Sequence, residues 1–421
     1  MVGTRQGTRS RLTGAWLDAA AGGWPAGPLP VHDARRFPDG VVLDYDVCIV
    51  GTGAAGATAA LTLAGRGLRI AVLEGGGLVP DDVTTAFTEI ESTGNHVDRA
   101  SRERWLGGTT NTWTGGKTTL DDVDLRARSW VPDSGWPLDR DHLRRCYERA
   151  AALLDRPGPA TYDGPAATPG DGFRFDGDGL RTLVFHEDAR PLRFGELLRE
   201  RLRPGDGVDV ITLANVTEVR LDEAGERVDG VDVATLNGHR FRVRARAVVL
   251  ACGAIENARL LLASRSRRPA GLGNGHDVVG RYYQDHPKGF TGVVEVDPAA
   301  RRLPASAYWA GRFDRAGRTR WGIGLTEAAQ ERAGVLNSYV RLEPVVLDHV
   351  PEGVATLRKA ARGRVRGLDP RPLAALPSEA PALARLARFR TRNEGPIDAI
   401  HVRSFLEQEP RRASRVRLSD R

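Results

Sequence analysis

The stretch DYDVCIVGTGAAGATAALTLAGRGLRIAVLEGGG, residues 44–77, decides the fold of this 421-residue chain. Residues 47–50 are continuously apolar, which is typical of a strand buried on both faces. Small residues fill Ala54–Leu63 and predict a helix packed closely on a sheet, and Ile70–Leu73 predicts a second buried strand. The stretch therefore predicts a βαβ unit with a glycine turn between its first strand and its helix.

The turn carries three glycines in the pattern Gly51-x-Gly53-x-x-Gly56, and Glu74 closes the second strand. Gly51 permits a tight turn, Gly53 lets the backbone approach a pyrophosphate, and Gly56 lets helix and strand pack closely. The helix N-terminus would face the phosphates, and Glu74 would accept hydrogen bonds from a ribose hydroxyl and repel a 2′-phosphate. This arrangement of strand, turn, helix and acid predicts a dinucleotide site.

A second glycine cluster, RWLGGTTNTWTGG at residues 104–116, favours a flavin over a nicotinamide dinucleotide. Gly107 and Gly108 permit a close backbone approach, whereas Thr109 and Asn111 supply polar side chains beside the flat face of Trp113. A large planar ring with a polar edge suits such a loop. The alternative interpretation is an ordinary surface loop rich in glycine and threonine.

The rest of the chain predicts both parallel and antiparallel strands. Asn237 and Gly238 indicate a hairpin turn, and residues 248–251 form another apolar strand before a helix. Alternating patterns over residues 287–345 indicate an antiparallel sheet, and residues 355–392 favour helix. The predicted fold class is α/β, or α+β overall.

Composition excludes several classes of protein. The net charge is +7, but its 61 basic residues include only three lysines and are interleaved with 54 acidic residues, so the charge does not predict nucleic-acid binding. The sequence contains no apolar run long enough to span a membrane. The three cysteines form no CxxC pair, which indicates a reducing, cytoplasmic location and no metal site.

In their order along the chain, these motifs resemble the glucose–methanol–choline (GMC) oxidoreductases, in the branch of pyranose oxidase. The motifs are the glycine turn with VLEGGG, RWLGGTTNTWTGG, DSGWPL, VVLACGAIENARLLLAS and QDHP, and the resemblance covers roughly residues 30–421. It implies FAD-dependent oxidation of a CH–OH group of a small alcohol or sugar, with hydride passing to flavin N5. It also implies a Rossmann-like, discontinuous FAD-binding domain at 41–286 and a substrate-binding domain at 287–421 that is truncated at its C-terminus. Residues 1–40, rich in glycine, proline and alanine, are expected to form a flexible lead-in.

The resemblance assigns site residues by position. The residues that match cofactor-binding positions are Gly51, Gly53, Gly56, Glu74, Gly107, Gly108, Thr109, Asn111, Val216, Ala251, Gly253 and Glu256. The backbone of Val216 would meet the adenine, and residues 251–256 would form a second cofactor-facing turn. Thr112 stands where related enzymes can carry a histidine bonded covalently to the flavin, so the resemblance implies noncovalent FAD.

The resemblance leaves the catalytic base unassigned. Such enzymes place a histidine in an HxxGT motif late in the chain, and none of the nine histidines begins one. His286 in QDHP and His401 in AIHVRSFL are the nearest alternatives, and both favour a structural role. The expectation is a chain that is truncated before its catalytic segment and inactive alone, or an FAD-binding subunit that needs a separate C-terminal chain.

Overall fold

The computed structural model describes residues 31–94, 97, 101–156, 158–160, 174–297, 307–313, 317–347, 349–361, 369–392 and 397–419. These residues divide into two compact units. The first unit comprises residues 31–115, 191–283 and 411–419, and the second comprises residues 116–190 and 284–410, each within the described ranges.

The strands of the described residues are, in chain order, β1 (Val31–Asp33), β2 (Val42–Val50), β3 (Ile70–Leu73), β4 (Gly116–Lys117), β5 (Leu180–Asp188), β6 (Val208–Thr212), β7 (Asn215–Leu221), β8 (Val228–Ala234), β9 (Arg240–Leu250), β10 (Lys288–Glu295), β11 (Arg312–Phe313), β12 (Gly317–Leu325), β13 (Ser338–Val345) and β14 (Ala399–Leu406). The α-helices are α1 (Ala54–Leu63), α2 (Asp82–Ala86), α3 (Asp122–Leu125), α4 (Arg140–Leu154), α5 (Phe194–Arg201), α6 (Ala254–Ala263), α7 (Ala307–Ala310), α8 (Glu327–Ala333), α9 (Glu352–Ala361) and α10 (Ala380–Arg392). Short 3-10 helices occupy Ala34–Arg36, Gly108–Asn111 and Arg371–Ala375.

The first unit is built on a seven-stranded sheet in the order β1-β6-β3-β2-β9-β8-β7. Neighbouring strands among β1, β6, β3, β2 and β9 are parallel. Strand β8 is antiparallel to both β9 and β7. Strand β3 lies inside the sheet between β6 and β2, and every one of its residues is buried, as its unbroken apolar sequence predicts. The predicted parallel sheet and the turn at Asn237-Gly238 between β8 and β9 are therefore confirmed.

The second unit is built on a separate antiparallel sheet in the order β10-β14-β13-β12-β5-β4, with β11 paired to β12. The alternating sequence of these strands produces the predicted antiparallel architecture. One face of the sheet packs Val184 and Trp321 against Tyr308, and Ile400 against Phe389 of α10. Together the two units confirm the predicted mixture of a parallel and an antiparallel sheet.

The predicted domain boundaries need correction. Residues 116–190 belong to the second unit, because β4 and β5 pair with its sheet, and residues 411–419 belong to the first unit. The predicted lead-in at 1–40 is wrong for residues 31–40, because β1 pairs with β6 and Phe37 is buried in the core. Residues 1–30, and with them most of that predicted segment, lie outside the described residues.

Candidate functional site

The glycine turn of the first unit lies at the carboxyl end of β2, where α1 begins. Gly51 has φ +104°, and a Cβ there would lie 2.6 Å from the carbonyl oxygen of Ala251. A Cβ on Gly56 would lie 1.9 Å from the carbonyl oxygen of Gly51. Both positions therefore require glycine. Ala251, which follows the neighbouring strand β9, leaves no room for a side chain at Gly51, so the two turns that carry predicted site residues lie in contact.

Gly53 is the N-cap of α1 and forms no side-chain cap there. A Cβ on Gly53 would meet no atom within 4 Å, so the start of the helix borders open space. The first N–H groups of a helix have no partner within it and carry partial positive charge. This helix start therefore has the space and the donors that an anionic pyrophosphate needs.

Glu74 is buried at the end of β3 and is held by two donors. The N–H of Gly76 donates to its Oε1 at 2.9 Å, and the hydroxyl of Thr52 donates to its Oε2. Sequence analysis predicted the acid but missed Thr52, the residue between the first two glycines of the turn, which is fully buried.

The second glycine cluster lies directly against the first. The N–H of Gly107 donates to the hydroxyl oxygen of Thr52 at 2.9 Å. A Cβ on Gly108 would lie 3.4 Å from the Cα of Gly53, so the two loops are in van der Waals reach. The positions of the two glycine motifs are thus consistent with the prediction that both contribute to one site. Thr52, in the glycine turn, is hydrogen-bonded both to Glu74 and to the second loop.

Polar side chains of the second loop mainly hold its own backbone. The hydroxyl of Thr110 donates to the carbonyl oxygen of Gly107 at 2.6 Å, and the amide of Asn111 donates to that of Leu106 at 3.0 Å. Thr109 is exposed, and its hydroxyl accepts from the backbone N–H of residue 103 at 3.4 Å. Asn111 therefore shapes the loop, whereas Thr109 remains accessible.

The segment before β7 also lies beside Glu74. The N–H of Ala214 donates to the Glu74 carbonyl oxygen at 2.9 Å, and that of Leu213 donates to Gly76 at 2.9 Å. Val216, two residues further on, pairs with Val233 of β8. These bonds bring the predicted adenine-contacting strand to the same edge of the sheet as the predicted ribose-binding acid.

The second turn, between β9 and α6, is fixed by side chains that sequence analysis missed. The Asn257 side chain accepts from the backbone N–H of Cys252 at 3.1 Å and from its thiol at 2.8 Å. Burial, followed by the nearby charge of Glu256, raises the pKa of the Cys252 thiol to about 11. Gly253, the N-cap of α6, has φ +87° and open space around its missing Cβ, as expected at a cofactor-facing turn.

Glu256 in the first turn of α6 is engaged by two arginines. Arg102 donates to its Oε1 at 3.2 Å and Arg259 donates to its Oε2 at 2.7 Å. Its carboxylate therefore anchors the segment around Arg102. The predicted contact between Glu256 and a cofactor stays a prediction, and the ion pairs give this residue a positioning role.

Two histidines of the first unit have structural partners. His32 Nε2 lies 3.3 Å from Asp209 Oδ1, across β1 and β6, and His239 Nδ1 lies 3.0 Å from the carbonyl oxygen of Phe37. His96 lies outside the described residues. These partners of His32 and His239 are therefore not part of the glycine turns.

In the second unit the two alternatives for a base differ in exposure. The His286 side chain is 71% exposed and lies 2.8 Å from a carboxylate oxygen of Asp285. The ring of His401 packs edge-on against Phe290, with ring centroids 5.1 Å apart. Neither contact sets up a histidine pair of the kind the resemblance requires.

Two classes of feature do not occur in the described part of the chain. It holds no group of three or more histidine, cysteine, aspartate or glutamate side chains arranged for a metal ion. It also has no helix that is both long and apolar enough to cross a membrane.

Two solved structures match this chain at low overall similarity. Pyridoxine 4-oxidase from Mesorbium loti has 16% identity and a TM-score of 0.42, covering 71% of this chain and 73% of that chain. Formate oxidase of Aspergillus oryzae has 17% identity and a TM-score of 0.40, covering 88% of this chain and 73% of that chain.

Two curated relatives are oxidases from Streptomyces. The 6'''-hydroxyparomomycin C oxidase of Streptomyces lividus is 28% identical over 337 residues, which are 66% of this chain and 61% of that protein. The paromamine 6'-oxidase of Streptomyces fradiae is 28% identical over 362 residues, which are 72% of this chain and 65% of that protein. The chain therefore spans a little under two thirds of the length of the curated relatives it matches.

The model of the DAO family of FAD-dependent oxidoreductases matches residues 46–386, most of the chain. The match begins just before the glycine turn and includes both glycine clusters and Glu74. The sequence motifs predicted a GMC oxidoreductase, whereas the family model that matches is DAO. The prediction of an FAD-dependent oxidoreductase is confirmed, and the assignment to the GMC family is not confirmed. This chain belongs to the DAO family of FAD-dependent oxidoreductases.

Proposed function

We propose that the first unit binds FAD noncovalently and that the protein oxidises a CH–OH group of a small alcohol or sugar, as GMC enzymes do. The observation that carries the proposal is the meeting of three predicted elements at the carboxyl edge of one parallel sheet. The uncapped start of α1, the loop at Gly107-Gly108 and the buried Glu74 all lie there, joined by Thr52. Ligands of open α/β sheets bind at this edge.

The residues of the site fit the parts of FAD one by one. The backbone N–H groups at Gly53 and the start of α1 would hold the pyrophosphate, and Glu74 would accept from the ribose. Backbone at Val216 would meet the adenine, and Gly108 with Thr109 would border the flavin side. A bound FAD supplies the hydride acceptor; the protein's own contribution is to bind it, orient it and exclude water.

The proposal of noncovalent binding rests on Thr112, which stands where the resemblance places a covalently bonded histidine. Thr112 is exposed, and its hydroxyl donates to the carbonyl oxygen of Thr109 at 3.3 Å. The threonine side chain has no imidazole nitrogen that could bond to the flavin. The proposal is therefore a cofactor held by hydrogen bonds and packing alone.

The curated relatives support the substrate class. Both are named as oxidases, one of 6'''-hydroxyparomomycin C and one of paromamine at its 6' position. A hydroxyl on a sugar-like ring is the simplest group consistent with these names and with the GMC resemblance. We therefore favour a ring alcohol over a simple aliphatic alcohol.

A second candidate function is FAD binding without turnover by this chain alone. It is favoured by the described histidines, because His32 and His239 have structural partners and His286 is largely exposed. A general base must reach the hydroxyl proton that it removes. The contacts of these three histidines assign this role to none of them.

The experiment separates these candidates in two steps. The purified protein, supplied with FAD, should show a flavin spectrum, and acid precipitation should release all of the yellow colour. The loaded protein is then mixed without oxygen with a panel of sugars and alcohols while the flavin absorbance is followed. Bleaching by a ring alcohol supports the oxidase; a stable spectrum with every compound supports binding without turnover; and failure to take up FAD refutes both.

A further inference from the structure

Strand β10 forms one edge of the antiparallel sheet of the second unit. Among the described residues it pairs only with β14, so its other side is an open edge. All eight residues of β10 are exposed, and three of them are large and apolar. Phe290 is 60% exposed, Val293 58% and Val294 49%. A long, exposed edge of this kind is a template for pairing with another strand.

The hydrogen bonds of β14 show which backbone groups of β10 point to the open side. The N–H of Glu407 donates to Asn337, towards β13, at 3.0 Å. The N–H of Leu406 donates to Pro287, towards β10, at 2.9 Å. Because these directions alternate along a strand, the odd-numbered residues of β14 bond to β13 and the even-numbered ones to β10. The β10 residues opposite the odd-numbered ones therefore turn their N–H and C=O groups outward; they are Lys288, Phe290, Val293 and Glu295.

A bulge in β10 places these four residues on one face of the sheet. The strand register shifts at Thr291, which is an extra residue in β10. Lys288 and Glu295 are an odd number of positions apart and would lie on opposite faces of a regular strand. The extra residue brings them to the same face, with Phe290 and Val293 between them. This face thus has a positive end, an apolar middle and a negative end.

Such a face is complementary to itself when two copies lie side by side in antiparallel orientation. A two-fold axis at the bulge places Lys288 opposite Glu295 of the second copy, and Phe290 opposite Val293 of the second copy. The outward backbone groups of the same residues then meet, because opposite residues of an antiparallel pair exchange N–H···O bonds. Each contact occurs twice, as an interface with two-fold symmetry requires.

The charges at the two ends favour this pairing over pairing with an unrelated strand. Opposite charges that face each other across two strands stabilise the pair, and like charges destabilise it. A lysine on an edge strand ordinarily discourages pairing. In the symmetric arrangement each Lys288 meets a glutamate, so the residue that blocks other partners stabilises this one.

We propose that the protein forms a symmetric dimer in which the β10 strands of two copies pair in antiparallel fashion and join their sheets. The contact uses eight residues of each copy, against about 20–30 in a standard interface. We therefore expect a dimer that dissociates on dilution. The pairing involves only β10 and does not depend on the function proposed above.

The test is sedimentation velocity of the full chain from about 1 µM to about 100 µM, over which the dimer should replace the monomer. Lys288→Glu sets glutamates opposite each other and Glu295→Lys sets lysines opposite each other, so each should weaken the dimer about tenfold or more. The double charge swap, Lys288→Glu with Glu295→Lys, should restore it. Lys359→Glu is the matched control, because Lys359 is exposed on α9 of the same unit and should leave the dimer unchanged.

Amide hydrogen exchange provides a second readout at the proposed contact. The N–H groups of Phe290 and Val293 should exchange slowly in the dimer and rapidly in Lys288→Glu, at an unaltered melting temperature. A chain that stays monomeric at every concentration overturns the proposal; if these amides are nevertheless protected, another segment covers the edge. A dimer that persists in both single variants, or that the double swap does not restore, overturns the pairing of β10 with itself.

Discussion

Replacing Thr52 by valine should destabilise the first unit considerably more than replacing it by serine. Valine keeps the shape of threonine but removes the hydroxyl that accepts from the Gly107 N–H at 2.9 Å and donates to Glu74. Thr52 is fully buried, so water does not replace these bonds. A buried group left without its partner costs about 1–3 kcal/mol, and two such groups give a loss of roughly 2–6 kcal/mol for Thr52→Val.

Thr52→Ser keeps the hydroxyl and loses one buried methyl group, which costs about 1 kcal/mol. Urea unfolding of both variants, without FAD, measures the difference in the free energy of unfolding. The same pair should differ in FAD affinity, because the hydroxyl fixes the second glycine loop against the turn. If the valine and serine variants unfold at the same urea concentration, the hydroxyl does not join the three elements and the account of the site is wrong.

Two further predictions concern the first unit, and a third compares a thiol of each unit. Glu74→Gln should weaken FAD binding by roughly 1–3 kcal/mol, the value of a hydrogen bond to a charged group, in a flavin fluorescence titration; unchanged affinity would mean that the ribose is held elsewhere. Gly56→Ala should lower the melting temperature steeply, because its Cβ would lie 1.9 Å from a backbone oxygen, whereas Gly275→Ala, with no atom within 4 Å, should leave it nearly unchanged. At neutral pH, the exposed Cys146 should react with a thiol reagent at least about tenfold faster than Cys252, because the raised pKa of about 11 keeps the Cys252 thiol protonated. A mass-spectrometric time course measures both rates, and equal rates would contradict the burial of Cys252.

Local patterns were enough to locate the central βαβ unit from sequence. The helix Ala54–Leu63 and the strand Ile70–Leu73 occur with the predicted bounds. The reason is that unbroken apolar runs and glycine spacing act over a few residues and leave little choice of structure.

Contacts between distant segments were beyond the reach of such patterns. Thr52 and Gly107 are 55 residues apart, and only the fold brings the hydroxyl to the N–H group. Likewise, β5 looked like part of the first domain until its pairing with β12 placed it in the second unit. The ion pairs of Glu187 with Arg320 and Arg341 have the same origin, since these residues lie on three different strands and only the strand register brings them together.

The interpretation of Glu74 depends on how many hydrogen bonds its carboxylate can accept. Two oxygens offer about four acceptor sites, and Thr52 and Gly76 use two of them. About two sites therefore remain, so a structural role and a ribose-binding role are compatible in one side chain. This has a consequence for the Glu74→Gln variant, whose lost affinity combines a disturbed turn with a lost ribose contact. Thr52→Val disturbs the turn and leaves the carboxylate charged, so it isolates the first contribution. If Glu74→Gln weakens FAD binding by more than Thr52→Val does, the remainder belongs to the ribose; if the two losses are equal, Glu74 acts on the cofactor only through the loop that Thr52 holds.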